Sequence, residues 1–326
     1  MNTGLKITAF AAAAATTFGT AYGVGKGVGP VLADERPAGH GGHEAAREPT
    51  EAAGGGDGHG GHGAAAAAGG LQVSEDGYTL ALETPRVAAG ERTELRFSIR
   101  DESGRKVTAF AREHGKELHF IVASRDLTVY RHLHPTRAAD GTWRTSADLP
   151  AAGAYRAFAD FKPAKEGAGP LTLGADLAAS GAYAPAPVPA PATTAKADGY
   201  EVVLTGGLRP GHSGELRLRV TKDGRPVTDL QPYLGAYGHL VALRSGDLAY
   251  LHVHPDGEPG DGSTEPGPEV SFTATAPSSG TYRLFLDFRH GGKVRTAAFT
   301  VEAGKPGAST GPAAGGNESE APGHRH

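Results

Sequence analysis

A chain that writes the same strand pattern twice has few folds open to it, and this one repeats itself at three separate points. DGYTLAL at 76–82 returns as DGYEVVL at 198–204. ELRFSIRDESGRKVT at 94–108 returns as ELRLRVTKDGRPVT at 215–228, and GAYRAFADF at 153–161 as GTYRLFLDF at 280–288. Within each copy, apolar and polar residues alternate between turn signals such as DESGR and DG, the period of half-buried strands. Neither copy contains a long amphipathic helical pattern. Each spans roughly 105–110 residues with about seven short strand-like segments, the size and count of an immunoglobulin-like sandwich. The expected fold is therefore all-β: two tandem immunoglobulin-like β-sandwiches, with disordered N-terminal, linker and C-terminal segments.

Composition places the boundaries. Glycine and proline are denser outside the repeats, where 24 of the 50 glycines and 10 of the 23 prolines fall in 108 residues. Residues 34–70 are rich in Gly, Ala and His and carry HGGH at 40–43 and again at 59–62, a composition that cannot bury a core. The first sandwich is expected over 71–182, followed by a stiff Pro/Ala spacer at 183–197. The second is expected over 198–303, and 304–326 is a polar tail ending in GHRH. At the N-terminus Lys6 precedes an uncharged run over 7–25, and VLA at 31–33 offers small or branched residues for cleavage. Residues 1–33 thus resemble a signal peptide, with an uncleaved membrane anchor as the alternative. Either places the remainder outside the cytoplasm, at the cell surface or beyond.

The formal net charge of −4, with scattered Lys and Arg, argues against a nucleic-acid partner, which needs a clustered basic face. There is no cysteine, and Met1 is the only methionine. Thiolate and thioether ligands are excluded, so metal chemistry here must use imidazole, carboxylate or backbone oxygen.

The histidines carry the chemical signal. YRHLHP at 130–135 returns as YLHVHP at 250–255, each following a strand that opens on a histidine, HFIVAS at 119–124 and HLVALR at 239–244. Two-residue turns at Arg125-Asp126 and Ser245-Gly246 would set His119 opposite His132 and His239 opposite His252. Opposed residues share a face, as do residues two apart on a strand. His119, His132 and His134 should then converge, as should His239, His252 and His254, and three imidazoles can hold a divalent ion. The proline after each pair ends strand pairing and puts the cluster at the sandwich rim. A bulge would move the first histidine to the other face. An HxH pair alone is ordinarily two hydrogen-bonded side chains; repetition of the whole trio at the same spacings favours ligands.

Asp160 and Asp287, equivalent in the two copies, are candidate fourth ligands or, as the blander alternative, salt-bridge partners of Arg156 and Arg283. His114 and His290 have no counterparts and read as surface residues, and Trp143 as core. The HGGH pairs read as soluble spacer or as weak metal collectors.

The YRHLHP and YLHVHP motifs and the YRxFxDF strands resemble bacterial secreted heavy-metal-binding-domain proteins, distantly YtkA-like, over about 71–303. The resemblance implies metal handling and no defined reaction. Without sulfur ligands, Cu(II) or Zn(II) is expected, copper preferred, with affinity falling below about pH 6. The function expected is an exported metal-binding protein for buffering or delivery, with cell-envelope proteins as further partners. The alternative is a structural or adhesive surface module without metal. An enzyme is not expected, since no general base, nucleophile elbow, phosphate loop or HExxH accompanies the cluster.

Overall fold

The computed structural model describes residues 68–251 and 253–304. The expected signal segment, the HGGH spacer and the polar tail lie outside the described residues. The first sandwich comprises β1 (Ser74–Glu75), β2 (Tyr78–Leu82), β3 (Arg86–Ala88), β4 (Arg92–Arg100), β5 (Phe110–Ala111), β6 (Leu118–Ser124), β7 (Tyr130–Leu133), β8 (Thr136–Arg137), β9 (Trp143–Asp148), β10 (Gly153–Pro163) and β11 (Leu171–Ser180). One sheet has the order β1-β2-β4-β9-β8, the other β3-β11-β10-β6-β7 with β5 added to β10.

The second sandwich comprises β12 (Thr194–Ala197), β13 (Tyr200–Gly206), β14 (Ser213–Lys222), β15 (Arg225–Pro226), β16 (Gly238–Arg244), β17 (Tyr250–Leu251), β18 (His254–Pro255), β19 (Glu269–Thr275), β20 (Gly280–His290) and β21 (Lys293–Ala303). Its sheets run β12-β13-β14-β19-β18, with β15 on β14, and β17-β16-β20-β21. β12 forms inside the stretch expected to be spacer, because Thr194–Ala197 finds an antiparallel partner in β13.

Alternation along the strands fills each core. Leu80, Phe97, Ile99, Phe120 and Trp143 meet in the first sandwich, with Trp143 stacked on Phe97 at 6.3 Å. Leu204, Leu218, Phe272, Leu284 and Phe299 meet in the second. Both copies carry the tyrosine corner of the immunoglobulin-like class. The Tyr155 hydroxyl donates to the Ala151 carbonyl at 2.6 Å, and that of Tyr282 to the Ser278 carbonyl at 2.8 Å. Each ties the start of the long strand β10 or β20 to its preceding turn.

The strands β6 and β16 do not alternate in burial: all seven residues of β6 are buried, and six of seven in β16. Phe120 and Val122 face their own core, whereas Ile121 and Ala123 face outward. In β16 Leu240 and Ala242 point in, and Val241 and Leu243 point out. The outward sets meet. Ile121, Ala123 and Phe158 of the first sandwich share one apolar cluster with Val241, Leu243 and Phe285 of the second. Tyr130 stacks on Phe285 at 4.1 Å and 4°, and Tyr250 lies against Phe158 at 5.6 Å, an arrangement that exchanges equivalent residues of the two copies. Each such aromatic pair contributes about 0.5–1.5 kcal/mol beyond its buried area. A continuous apolar run such as HFIVAS is what burial on both faces requires.

Candidate metal centre

Ser124 donates its backbone N–H to Val129 and Leu127 donates to Ser124, so the first hairpin turns over four residues, Arg125 to Thr128, with Leu127 at φ +57°. Asp126 holds that turn by accepting from the Thr128 amide and hydroxyl. The second hairpin is built alike, with Arg244 donating to Ala249 and Leu248 at φ +64°. The two-residue turns expected from sequence are thus too short by two. His132 faces Ile121 rather than His119. A shift of two residues preserves the side-chain face, which a shift of one would reverse. His119, His132 and His134 therefore still share a face.

That face is the one covered by the second sandwich, not a rim open to solvent. One ring nitrogen from each of His119, His132 and His134 lies within 4.8 Å of the others. His119 Nδ1 and His132 Nε2 are 3.0 Å apart. Two nitrogens on one tetrahedral ion, each bound at about 2.0–2.1 Å, stand about 3.3–3.4 Å from each other, so at most about 1.5 Å of closure assembles the site. Nε2 of His119 and Nε2 of His134 are buried without hydrogen-bond partners, the condition of atoms awaiting an acceptor or an ion.

The groups that orient the trio come from the other sandwich. His132 Nδ1 donates to Asp287 Oδ2 at 2.8 Å, leaving Nε2 to face His119. This carboxylate–imidazole pairing is the arrangement that fixes the ring of a metal-ligating histidine. The Tyr233 hydroxyl lies 3.3 Å from His134 Nδ1. Tyr233 also accepts, through its carbonyl, from His239 Nε2 at 2.7 Å. A pocket of about 40 Å³ opens beside the cluster, lined by His114, His119, His132, Asp160, His239 and Tyr250 among others.

Burial sets the charge state. It drives His119 down to about 2, helped by the neighbouring His132, His134 and His239 rings. Burial likewise takes His134 to about 3 and His239 to about 4. These rings are neutral at pH 7, the form that binds metal. Burial first, and then the Asp287 charge, pushes the Tyr233 hydroxyl up to about 12, so it stays protonated.

The second expected trio is described only in part. His239 lies on β16, 8% exposed, on the face turned to the first sandwich. His252 and the side chain of His254 lie outside what is described. The backbone of His254 pairs with Thr273 of β19, in the sheet opposite β16.

Sequence reasoning undervalued Asp287, which is 2% exposed, reaches across the interface to His132 and accepts from Thr296 of its own sheet. The expected Arg283 partnership does not form, because Arg283 bonds the Thr300 hydroxyl instead. Asp160 accepts from Thr172 Oγ1 at 3.1 Å and from the Tyr250 hydroxyl at 3.5 Å, while Arg156 bonds Asp176 and the Gly70 and Leu71 carbonyls. His114, expected on the surface, stands at φ +50° with its ring 5.7 Å from His239 and 6.3 Å from His119. His290 bridges the Tyr200 hydroxyl and Asp229. The signal for Asp287 was its alternation with Phe285 and Arg283 on a strand apolar on both sides.

Fold and site together define a tandem immunoglobulin-like protein with a partly buried imidazole cluster between its sandwiches. The chain belongs to the DUF8832 family, a domain of unknown function, whose family model matches residues 72–169 and 195–305, one stretch in each sandwich. No curated protein matches the chain. Among solved structures it is similar to the Escherichia coli adhesin FdeC, at 15% identity and TM-score 0.22, over 71% of this chain and 65% of that one. It is also similar to Yersinia pseudotuberculosis InvD, at 12% identity and TM-score 0.23, over 71% and 59% of the two chains. A third is Salmonella alpha-2-macroglobulin reacted with methylamine, at 11% identity and TM-score 0.25, over 72% and 15%. The chain spans less than two thirds of the length of each.

Proposed function

We propose that this is an exported metal-binding protein that takes up Cu(II) or Zn(II) at His119, His132 and His134, for buffering or delivery. The observation that carries the proposal is the trio itself: three imidazole nitrogens within 4.8 Å of one another, two of the rings with a buried, unpartnered Nε2. Burying polar nitrogens without partners is costly unless something else binds there. An all-nitrogen donor set suits Cu(II) best on the Irving–Williams order and Zn(II) next. Export rests on the N-terminal pattern of Lys6 and the uncharged run over 7–25. The resemblance to secreted heavy-metal-binding domains points the same way. Asp287 holds His132 and supplies negative charge beside the donor set, which favours a divalent ion.

The test is stoichiometric titration of the full chain with Cu(II) and with Zn(II) at neutral pH. Tight uptake of one ion by the trio, abolished in His132→Ala, is the result expected. A protein that leaves both ions free is the structural or adhesive module without metal.

A further inference from the structure

We propose that the second sandwich supplies the fourth ligand: His239 closes the coordination sphere of an ion held by His119, His132 and His134, so that the ion joins the two sandwiches. This rests on the trio binding metal and extends it to a residue that the repeat pattern places in the other copy.

His239 occupies on β16 the place that His119 occupies on β6, and the two pair directly with Asp287 and Asp160 in their own sheets. Packing of the outward faces brings the two equivalent rings to 6.1 Å, and His239 lies 6.1 Å from His132 as well. Within the trio the ring centroids are 5.3, 5.5 and 4.7 Å apart. Two imidazoles bound to one tetrahedral ion have centroids about 5.2 Å apart, taking a metal–nitrogen bond of about 2.0–2.1 Å. The trio already has that spacing, and His239 is about an ångström beyond it from His119 and from His132.

Its protonation suits the role. A carbonyl oxygen only accepts, so the 2.7 Å contact with the Tyr233 carbonyl puts the proton of the neutral ring on Nε2. Nδ1 then carries the lone pair. A backbone carbonyl fixing the far nitrogen of a ligand is a common way to orient it. The ring borders the same pocket as His119 and His132.

The consequence is linkage. An ion gripped from both sides binds the docked pair of sandwiches better than separated ones, and so favours docking. The experiment compares the full chain with His239→Gln and His239→Ala, using Co(II) as the spectroscopic probe and Zn(II) competition for affinity. Gln keeps an N–H for the Tyr233 carbonyl, and urea unfolding of the apo proteins verifies that each variant is folded. The wild type is expected to show the intense visible bands of four-coordinate Co(II). Both variants should show altered bands, as water or the Gln side chain replaces the ring, and Zn(II) affinity should fall at least about tenfold. Wild-type protein that takes up neither ion overturns the trio itself. Wild-type uptake with unchanged spectrum and affinity in both variants overturns only the role of His239 and leaves the trio standing.

Discussion

The two sandwiches carry the same HxHP motif and use its backbone differently. In the first, β7 stays paired to β6 through Leu133, so the histidines remain on the sheet that meets the other sandwich. In the second, Val253 lies outside any strand, and His254–Pro255 join β19 in the opposite sheet. A longer connection follows in the second copy, DGEPGDGSTEPGP at 256–268 against TRAADG at 136–141, and the motif reaches the opposite sheet as that connection begins. Among the described residues, the first copy presents three imidazoles, and the second presents Asp287, Tyr233 and His239, which hold and face them. What a motif does depends on which sheet its backbone hydrogen-bonds to.

Acid tests this division most strongly. His119, His134 and His239 are all depressed by burial below the ordinary imidazole value near 6.5. Below that value the unfolded chain binds protons that the folded one refuses, so the stability they allow is complete above about pH 6.5 and lost on acidification. Each contributes up to about 1.4 kcal/mol per pH unit, and several kcal/mol in total should disappear between pH 7 and pH 4.5. Urea midpoints measured across that range should fall steeply, and His119→Gln should flatten the curve. An unchanged midpoint would show the cluster to be open to water.

Removing the apolar partner should come next. Phe285→Ala is expected to cost about 3–5 kcal/mol, as for other large-to-small changes at packed sites. Because Phe285 lies outside both cores, the loss should appear as increased amide exchange in β6 and β16 while β4 and β14 stay protected. Equal exposure of all four strands would mean the interface and the cores unfold as one.

The equivalent aspartates sharpen the comparison further. Asp287→Asn should weaken Zn(II) binding by about 10–100-fold through loss of the carboxylate that orients His132. Asp160→Asn should weaken it less, since the carboxylate that holds His132 of the trio is that of Asp287. Equal losses would remove the asymmetry between the copies.

The smallest effect is expected at the entry to the first sandwich. Gly69 exchanges backbone bonds with Tyr250, and Gly70, at φ +71°, passes so close to Phe158 that a Cβ there would meet its ring at 2.5 Å. Gly70→Ala should destabilise by about 1–3 kcal/mol through strain and displacement of Phe158. Thermal melts of this variant beside Gly90→Ala, also at positive φ but with open space, separate the contact from the backbone strain.

Much of this was legible before any coordinates. Repeated strands, turn residues and alternation specified tandem sandwiches. The parity of a strand kept His119, His132 and His134 on one face even though the turns are longer than their sequence suggested. The roles of Asp287 and Tyr233 were not legible, because each acts on a residue far away in sequence. HFIVAS and HLVALR did hold a clue, being apolar at both odd and even positions, and that reports a covered outer face without naming its cover.

The sequence by itself determined which side chains stand together on a strand, since a period of two residues is local and survives any even change of register. Only the tertiary structure decided that the outer faces of the two copies bury each other, and hence that the trio of the first copy is held by residues of the second. Apolar surface is attracted to other apolar surface without regard to direction, so the partner was fixed by the shapes of the folded sandwiches and not by the strand pattern.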